Sequence, residues 1–153
     1  MVRMINGLAI MLLACGAATA QEDIVIDQGK VYVTEPKACQ ALEKQGADAF
    51  MNLEFLSLSF PGGIQSMEFH CDFYDIKTRP NTPVLFVDAV CELPGELYAD
   101  TIAVAPYDDT SIQLVSSADS ALELFGDTEA EAENYSAGTT IYHRCDNLSE
   151  IPF

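Results

Sequence analysis

From Leu53 onward the apolar residues fall at every second position in short runs broken by proline and glycine, a period of two that predicts strands. The clearest run is "MEFHCDFYD", residues 67 to 75. Here Met67, Phe69, Cys71 and Phe73 point one way, and Glu68, His70, Asp72 and Tyr74 the other. The first set reads as core and the second as solvent-facing. The preceding run, "LEFLSLSF", ends at Pro61-Gly62-Gly63. A four-residue turn over 61–64 would oppose Leu58 to Met67 and Leu56 to Phe69, apolar against apolar. The following run, "VLFVDAVCE", is apolar on both faces except at Asp88 and predicts a central or doubly covered strand, with Cys91 on the face of Leu85, Val87 and Ala89. Pro94-Gly95 turns the chain into "LYADTIAVA", and "PYDDT" turns it again into "SIQLVSS". A short helix is predicted over Ser117–Phe125. An acidic, apolar-poor stretch at 126–138 reads as a loop, and "TTIYHRC" as a last strand.

Towards the N-terminus the period changes. Two β-rich runs, Ile24–Ile26 and Lys30–Val33, flank the turn Asp27-Gln28-Gly29 and predict either a small hairpin or one kinked strand. "EPKACQALEKQG" then predicts a helix, with Thr34 as N-cap, Pro36 in the first turn and Gly46 as its stop. Its apolar stripe, Ala38, Cys39 and Leu42, is narrow, so the helix lies on a core with most of its girth wet. Together these elements predict an α+β domain: an N-terminal helix packed on a curled antiparallel β-meander of about five to six strands, stapled by two disulfides. A small closed β-barrel is the alternative.

The first twenty residues change the setting. One positive charge at Arg3, an apolar run over Leu8–Ala14 and the small-residue end Ala18-Thr19-Ala20 predict a secretory signal peptide over 1–20. The run is too short for a membrane-spanning helix, so the domain expected over 21–153 is single and exported, in a periplasm or secreted. A second processing route is open, because Leu12-Leu13-Ala14-Cys15 resembles a bacterial lipobox, which would lipidate Cys15 and anchor the domain. Either way Cys39, Cys71, Cys91 and Cys145 remain. An even number in an exported chain predicts two disulfides, and no C-x-x-C pair points to zinc or redox chemistry. Three pairings are open: Cys71 with Cys91 across a hairpin centred on Asn81, leaving Cys39 with Cys145; or Cys39 with either Cys71 or Cys91, leaving Cys145 with the other.

Composition then narrows the partners. An apolar fraction of 49% over 153 residues is enough for one ordinary core. Twenty-four acidic against seven basic side chains give a net charge of −17, and removal of Arg3 with the leader makes it −18. Such a field repels nucleic acid and anionic lipid, and leaves cations and cationic proteins or peptides as partners.

Motifs for chemistry are sparse. The pleat sends His70 and Cys71 to opposite faces, so they form no catalytic pair with each other. Glu68, His70 and Asp72 share a face and form the weak candidate for a divalent metal, but a straight strand spreads ligands that a metal needs converged. His70 and His143 are the only histidines, hence the only imidazole bases for a small hydrolase, and no serine sits in a G-x-S-x-G elbow. Phosphate-loop and EF-hand patterns are absent, and no cofactor is indicated. The two Asn-x-Ser sequons, at Asn134 and Asn147, matter only in a host that glycosylates. The reading that follows is a non-catalytic, inhibitor-like exported binding protein whose acidic surface engages a cationic protein or peptide. The alternatives are a divalent-cation or small-ligand binder, a small hydrolase using His70 or His143, and a structural envelope protein.

Overall fold

A computed structural model describes residues 25–125 and 138–152. The predicted leader with Cys15, the acidic loop up to residue 137, and the Asn134 sequon lie outside the described residues. The elements run β1 (Val31–Val33), α1 (Ala38–Gln45), a 3₁₀ helix (Gly46–Met51), β2 (Ser57–Ser59), β3 (Gly63–Gln65), β4 (His70–Thr78), β5 (Leu85–Leu93), β6 (Glu96–Asp108), β7 (Ser111–Ser116), α2 (Ser117–Phe125) and β8 (Thr139–Cys145). Each strand pairs antiparallel with the next, and β8 pairs back to β1 through Val31↔Cys145, Tyr32↔Arg144 and Val33↔His143. The sheet is therefore a closed eight-stranded barrel, which replaces the expected open meander of five to six strands and fits the closed-barrel alternative. One strand was hidden by brevity: β3 is three residues long, too short to show a period, whereas β2 is the three-residue paired part of the predicted run "LEFLSLSF".

Closure also moves the helix. The expectation packed α1 on a curled, open sheet; the closed barrel is filled by its own side chains, among them Tyr32, Leu58, Val87, Ile102, Val104 and Tyr142. Each fully buried aliphatic contributes roughly 1.5–3 kcal/mol. Ala38, Ala41 and Leu42 of α1 instead pack outside, against Val31, Val33, Cys145, Leu148 and Ile151. This explains the sequence "VYV" in β1. Tyr32 points into the barrel and the two valines point out beneath α1, so all three are buried. Tyr32 reaches the barrel's lower end, where its hydroxyl donates to the Asp27 carbonyl and accepts from the Asp27 amide. The segment before β1 is thus a turn, neither a hairpin nor a longer kinked strand. Thr34 does not cap α1; its hydroxyl accepts from the Leu56 amide at 2.9 Å and ties the approach to β2 against the end of β1.

Register differs from expectation in two places. The turn after β2 is tight, opposing Leu58 to Ile64 rather than to Met67. Gly63 permits it, with φ at +73° and no room for a Cβ beside the Cys71 carbonyl of β4. In β4, a bulge between Phe73 and Asp75 makes Tyr74 the extra residue, and the alternation changes phase. Cys71 and Phe73 face inward before it, and Ile76 after it. A second bulge between Pro106 and Asp108 does the same at Tyr107. Both bulged tyrosines are exposed, as expected where a bulge re-aims a side chain.

The cysteines pair as Cys71–Cys91 and Cys39–Cys145. The first lies inside the barrel between directly opposed residues of β4 and β5. The second lies outside and fastens α1 to β8. It closes a loop of 106 residues, for which chain entropy accounts for about 5 kcal/mol. Because α1 has only eight residues and is marginal alone, we expect a Cys39→Ala, Cys145→Ala variant to lose several kcal/mol in urea unfolding. The same variant should become cleavable by trypsin at Lys37 and Lys44. An unchanged urea midpoint with unchanged trypsin resistance would contradict this role.

Candidate functional site

Strand directions give the barrel two unlike ends. The upper end gathers the approach to β2 (52–56), the β3–β4 turn (66–69), the β5–β6 turn around Pro94-Gly95, and the start of α2. These segments and the strand tips beside them carry Glu54, Glu68, Glu92, Glu96 and Asp119, all exposed, and no lysine or arginine. The lower end mixes signs: Lys30, Lys77, Arg79 and Arg144 stand near Asp27, Asp108, Asp109 and Asp146. Lys77 bonds Asp88 and faces Asp75, and these carboxylates hold its ammonium above the usual range. Arg144 bonds Asp146 at 2.8 Å and the Asp109 carbonyl. The other two lysines, Lys37 and Lys44, flank or belong to α1. Of the nine large apolar side chains that are exposed among the described residues, Met51, Leu53, Met67, Leu93, Leu97 and Leu122 also belong to the upper end. Apart from His70 at the tip of β4, the charged groups of this end are thus acidic among the described residues, and they stand among exposed apolar groups.

The upper end is held rigidly. Asp100 on β6 is only 7% exposed and accepts from the Ser116 hydroxyl at 2.6 Å, the Ser117 hydroxyl at 2.7 Å and the Ala118 amide at 3.0 Å. It caps α2 from a neighbouring strand and satisfies amide and hydroxyl donors at the helix start. Behind it the barrel interior leaves a cavity of about 50 Å³ between Tyr98, Tyr142, Asp100 and Ile102, room for a few waters and no larger guest. Burial pushes the phenols of Tyr98 and Tyr142 up.

The residues singled out from sequence scatter. His70 faces Glu92 across the strands at 3.5 Å on an open surface, whereas Glu68 precedes β4 in the turn, so it does not continue the row of His70 and Asp72. Among the described residues no three His, Cys, Asp or Glu side chains converge as a metal site would need. His143 does meet a hydroxyl: its Nδ1 lies 3.1 Å from Ser111 Oγ, on directly opposed residues of β7 and β8. Sequence reading missed this contact because it depends on register. As a nucleophilic pair it is poorly made. Ser111 is 3% exposed. Its nearest acid, Asp108, lies on the serine side, where the Thr110 amide chiefly, with the Thr110 and Ser111 hydroxyls, holds that carboxyl below its usual range. An acid acting through the imidazole belongs on the opposite ring nitrogen.

The chain matches no protein-family model, no curated protein and no solved structure in these comparisons. Among the described residues no helix is long and apolar enough to cross a membrane. The barrel wall is apolar within, and β4 and β5 present Asp72, Asp75, Lys77, Asp88 and Glu92 outward. A lipid-embedded barrel needs the reverse pattern.

Two outcomes follow from these bonds. Asp100→Ala should lower stability by about 2–3 kcal/mol, since charge-assisted bonds and a cap are lost together, and should speed amide exchange in α2 above all. Equal acceleration throughout the barrel would contradict the capping role. For Asp108 the folded pKa lies below the unfolded carboxylate value of about 3.9. Its contribution is therefore present above that value and fades as pH falls through the folded pKa. The stability gap between wild type and Asp108→Asn should accordingly be seen at pH 7 and vanish in acid.

Proposed function

We propose that this protein is a non-catalytic exported binding protein that engages a cationic protein through the acidic upper end of its barrel, as an inhibitor of a basic enzyme would. The observation that carries the reading is the separation of charge along the barrel axis. Among the described residues, the segments that carry Glu54, Glu68 and Glu96 hold no lysine or arginine, and Glu92 faces only a histidine, His70, so the net negative field of that end extends into solvent and draws in a positively charged partner. Exposed Leu93 and Leu97, at 36% and 71%, stand among Glu92 and Glu96 on the same hairpin. Apolar anchors within a charged rim are the usual composition of a protein-binding patch. Two disulfides fit an oxidising compartment, periplasmic or extracellular.

A carrier of small ligands finds less support, because the interior is packed and its cavity is about 50 Å³. The hydrolase reading has a buried serine and a misplaced acid against it. A purely structural envelope role gives no reason for the charge separation.

The test is kinetic. With a basic partner captured from the native compartment, association should slow at least tenfold as salt rises from about 50 to about 500 mM, since surface charges are then screened within a few ångströms. Glu68→Lys with Glu92→Lys should slow it comparably at low salt, while Asp27→Lys with Asp146→Lys, at the lower end, should have a much smaller effect. Association indifferent to both salt and the upper-end reversal would remove the reading.

A further inference from the structure

Beyond Met11 the chain has two methionines, Met51 and Met67, and both line one groove at the upper end, 70% and 64% exposed. The 3₁₀ helix and the chain leading into β2 form one wall; the β3–β4 turn forms the other. Phe50 and Phe55 lie along the first wall with their rings stacked 4.8 Å apart, and Leu53 lies beside them. The groove encloses about 440 Å³, within the range of about 300–1,000 Å³ in which binding clefts fall. Among the described residues, its charged lining residues are Glu54 and Glu68.

Its walls are tied down. The Asn52 and Leu53 amides both donate to the Ala49 carbonyl, and the Asn52 side chain donates to Gln45 Oε1 at 3.1 Å and to the Asp48 carbonyl at 3.2 Å. Opposite, the Ser66 amide donates to the Phe69 carbonyl at 2.7 Å and the Phe69 amide donates to Ser66 Oγ. A partner therefore meets a preformed backbone, which limits the ordering cost of binding. The methionine side chains remain adaptable and can follow the shape of what enters.

We infer that this groove docks a segment of the cationic partner in which a large apolar side chain is flanked by lysine or arginine. The inference rests on the cationic-partner reading above and adds its point of contact. The apolar side chain enters between Met51 and Met67 onto the Phe50–Phe55 stack, and the flanking cations face Glu54 and Glu68. Apolar burial supplies affinity and the two carboxylates supply the preference of sign. A neutral apolar segment leaves both glutamates partly desolvated without a partner, and an acidic one adds repulsion.

The two methionine methyls report on the groove directly. The full chain, labelled at methionine methyls and assigned by Met51→Leu and Met67→Leu, is titrated with three synthetic peptides of equal length: lysine with leucine, lysine with serine, and glutamate with leucine. The lysine–leucine peptide should shift both signals and bind at least tenfold more tightly than either of the others. Glu54→Lys with Glu68→Lys should weaken it at least tenfold, and so should Met67→Glu, a change at an exposed site whose thermal melt verifies the fold. If lysine–leucine and lysine–serine bind alike with Met51 and Met67 unmoved, the groove is overturned while the electrostatic reading stands. If glutamate–leucine binds as well as lysine–leucine, the sign preference is overturned. If no peptide binds, both readings fall.

Discussion

The pairing of β1 with both β2 and β8 is the contact on which the rest of the molecule depends. β1 offers only three residues, yet it joins the two ends of the sheet and leaves no side of the strand exposed. Its closure works because Tyr32 fills the barrel from within while Val31 and Val33 are covered from without by α1. Neither layer suffices alone. Without α1 the two valines would face water, and without Tyr32 the seam would border a void. The Cys39–Cys145 link joins helix to wall beside this seam, because Cys145 is the strand partner of Val31. An open sheet edge invites pairing with other chains, so closing the seam also protects the molecule from association through its backbone.

Closure decides where function can reside. Eight strands enclose an interior that side chains just fill, and the small space that remains, near Tyr98 and Tyr142, is far below what an organic ligand needs. What the barrel offers a partner is therefore its surface, and above all its ends, where connections are free to differ. The lower end spends its charges on local contacts: Arg144 with Asp146 and the Asp109 carbonyl, Lys30 with the Asp146 carbonyl. At the upper end Glu54, Glu68 and Glu96 stand on segments without lysine or arginine, and Glu92 faces His70. Like charges gathered on one rim repel and cost stability, and the Cys71–Cys91 disulfide and the Asp100 cap, both at this end, offset that cost where it arises.

Much of this was legible in the sequence where the local signal was strong. The α2 boundaries, the last strand, the Pro94-Gly95 turn, and the inward face of Leu85, Val87, Ala89 and Cys91 all followed from period and turn chemistry. What failed depended on tertiary partners. Thr34 has the composition of an N-cap, but the Leu56 amide competes for its hydroxyl and wins. The bulge at Tyr74 has no glycine to announce it, yet the alternation read up to Tyr74 holds; it fails at its start, where Met67 lies in the turn before β4 and is exposed, not in the core. β2 and β3 were misregistered because Gly63 lets the chain pass close to β4, a constraint set by a strand later in sequence. The acidic excess was plain from composition. Its gathering at one end was not, since that depends on which way each strand runs.

The composition of the upper rim also bears on selectivity. Acidic residues alone attract any cation, from a metal ion to a polyamine, with little discrimination, because long-range fields report sign and not shape. Apolar residues alone would recruit any exposed hydrophobic patch. Placed together within a few residues of each other, as Leu53 with Glu54, Met67 with Glu68 and Leu97 with Glu96, they would, on the proposed reading, require a partner to present both properties at matching spacing. Small cations satisfy the charge but cover no apolar surface, and lipid or denatured chains cover apolar surface but leave the carboxylates unpaired. On the proposed reading, a folded cationic surface with its own apolar projections would meet both demands, and the groove would convert matched spacing into a free-energy difference between right and wrong partners.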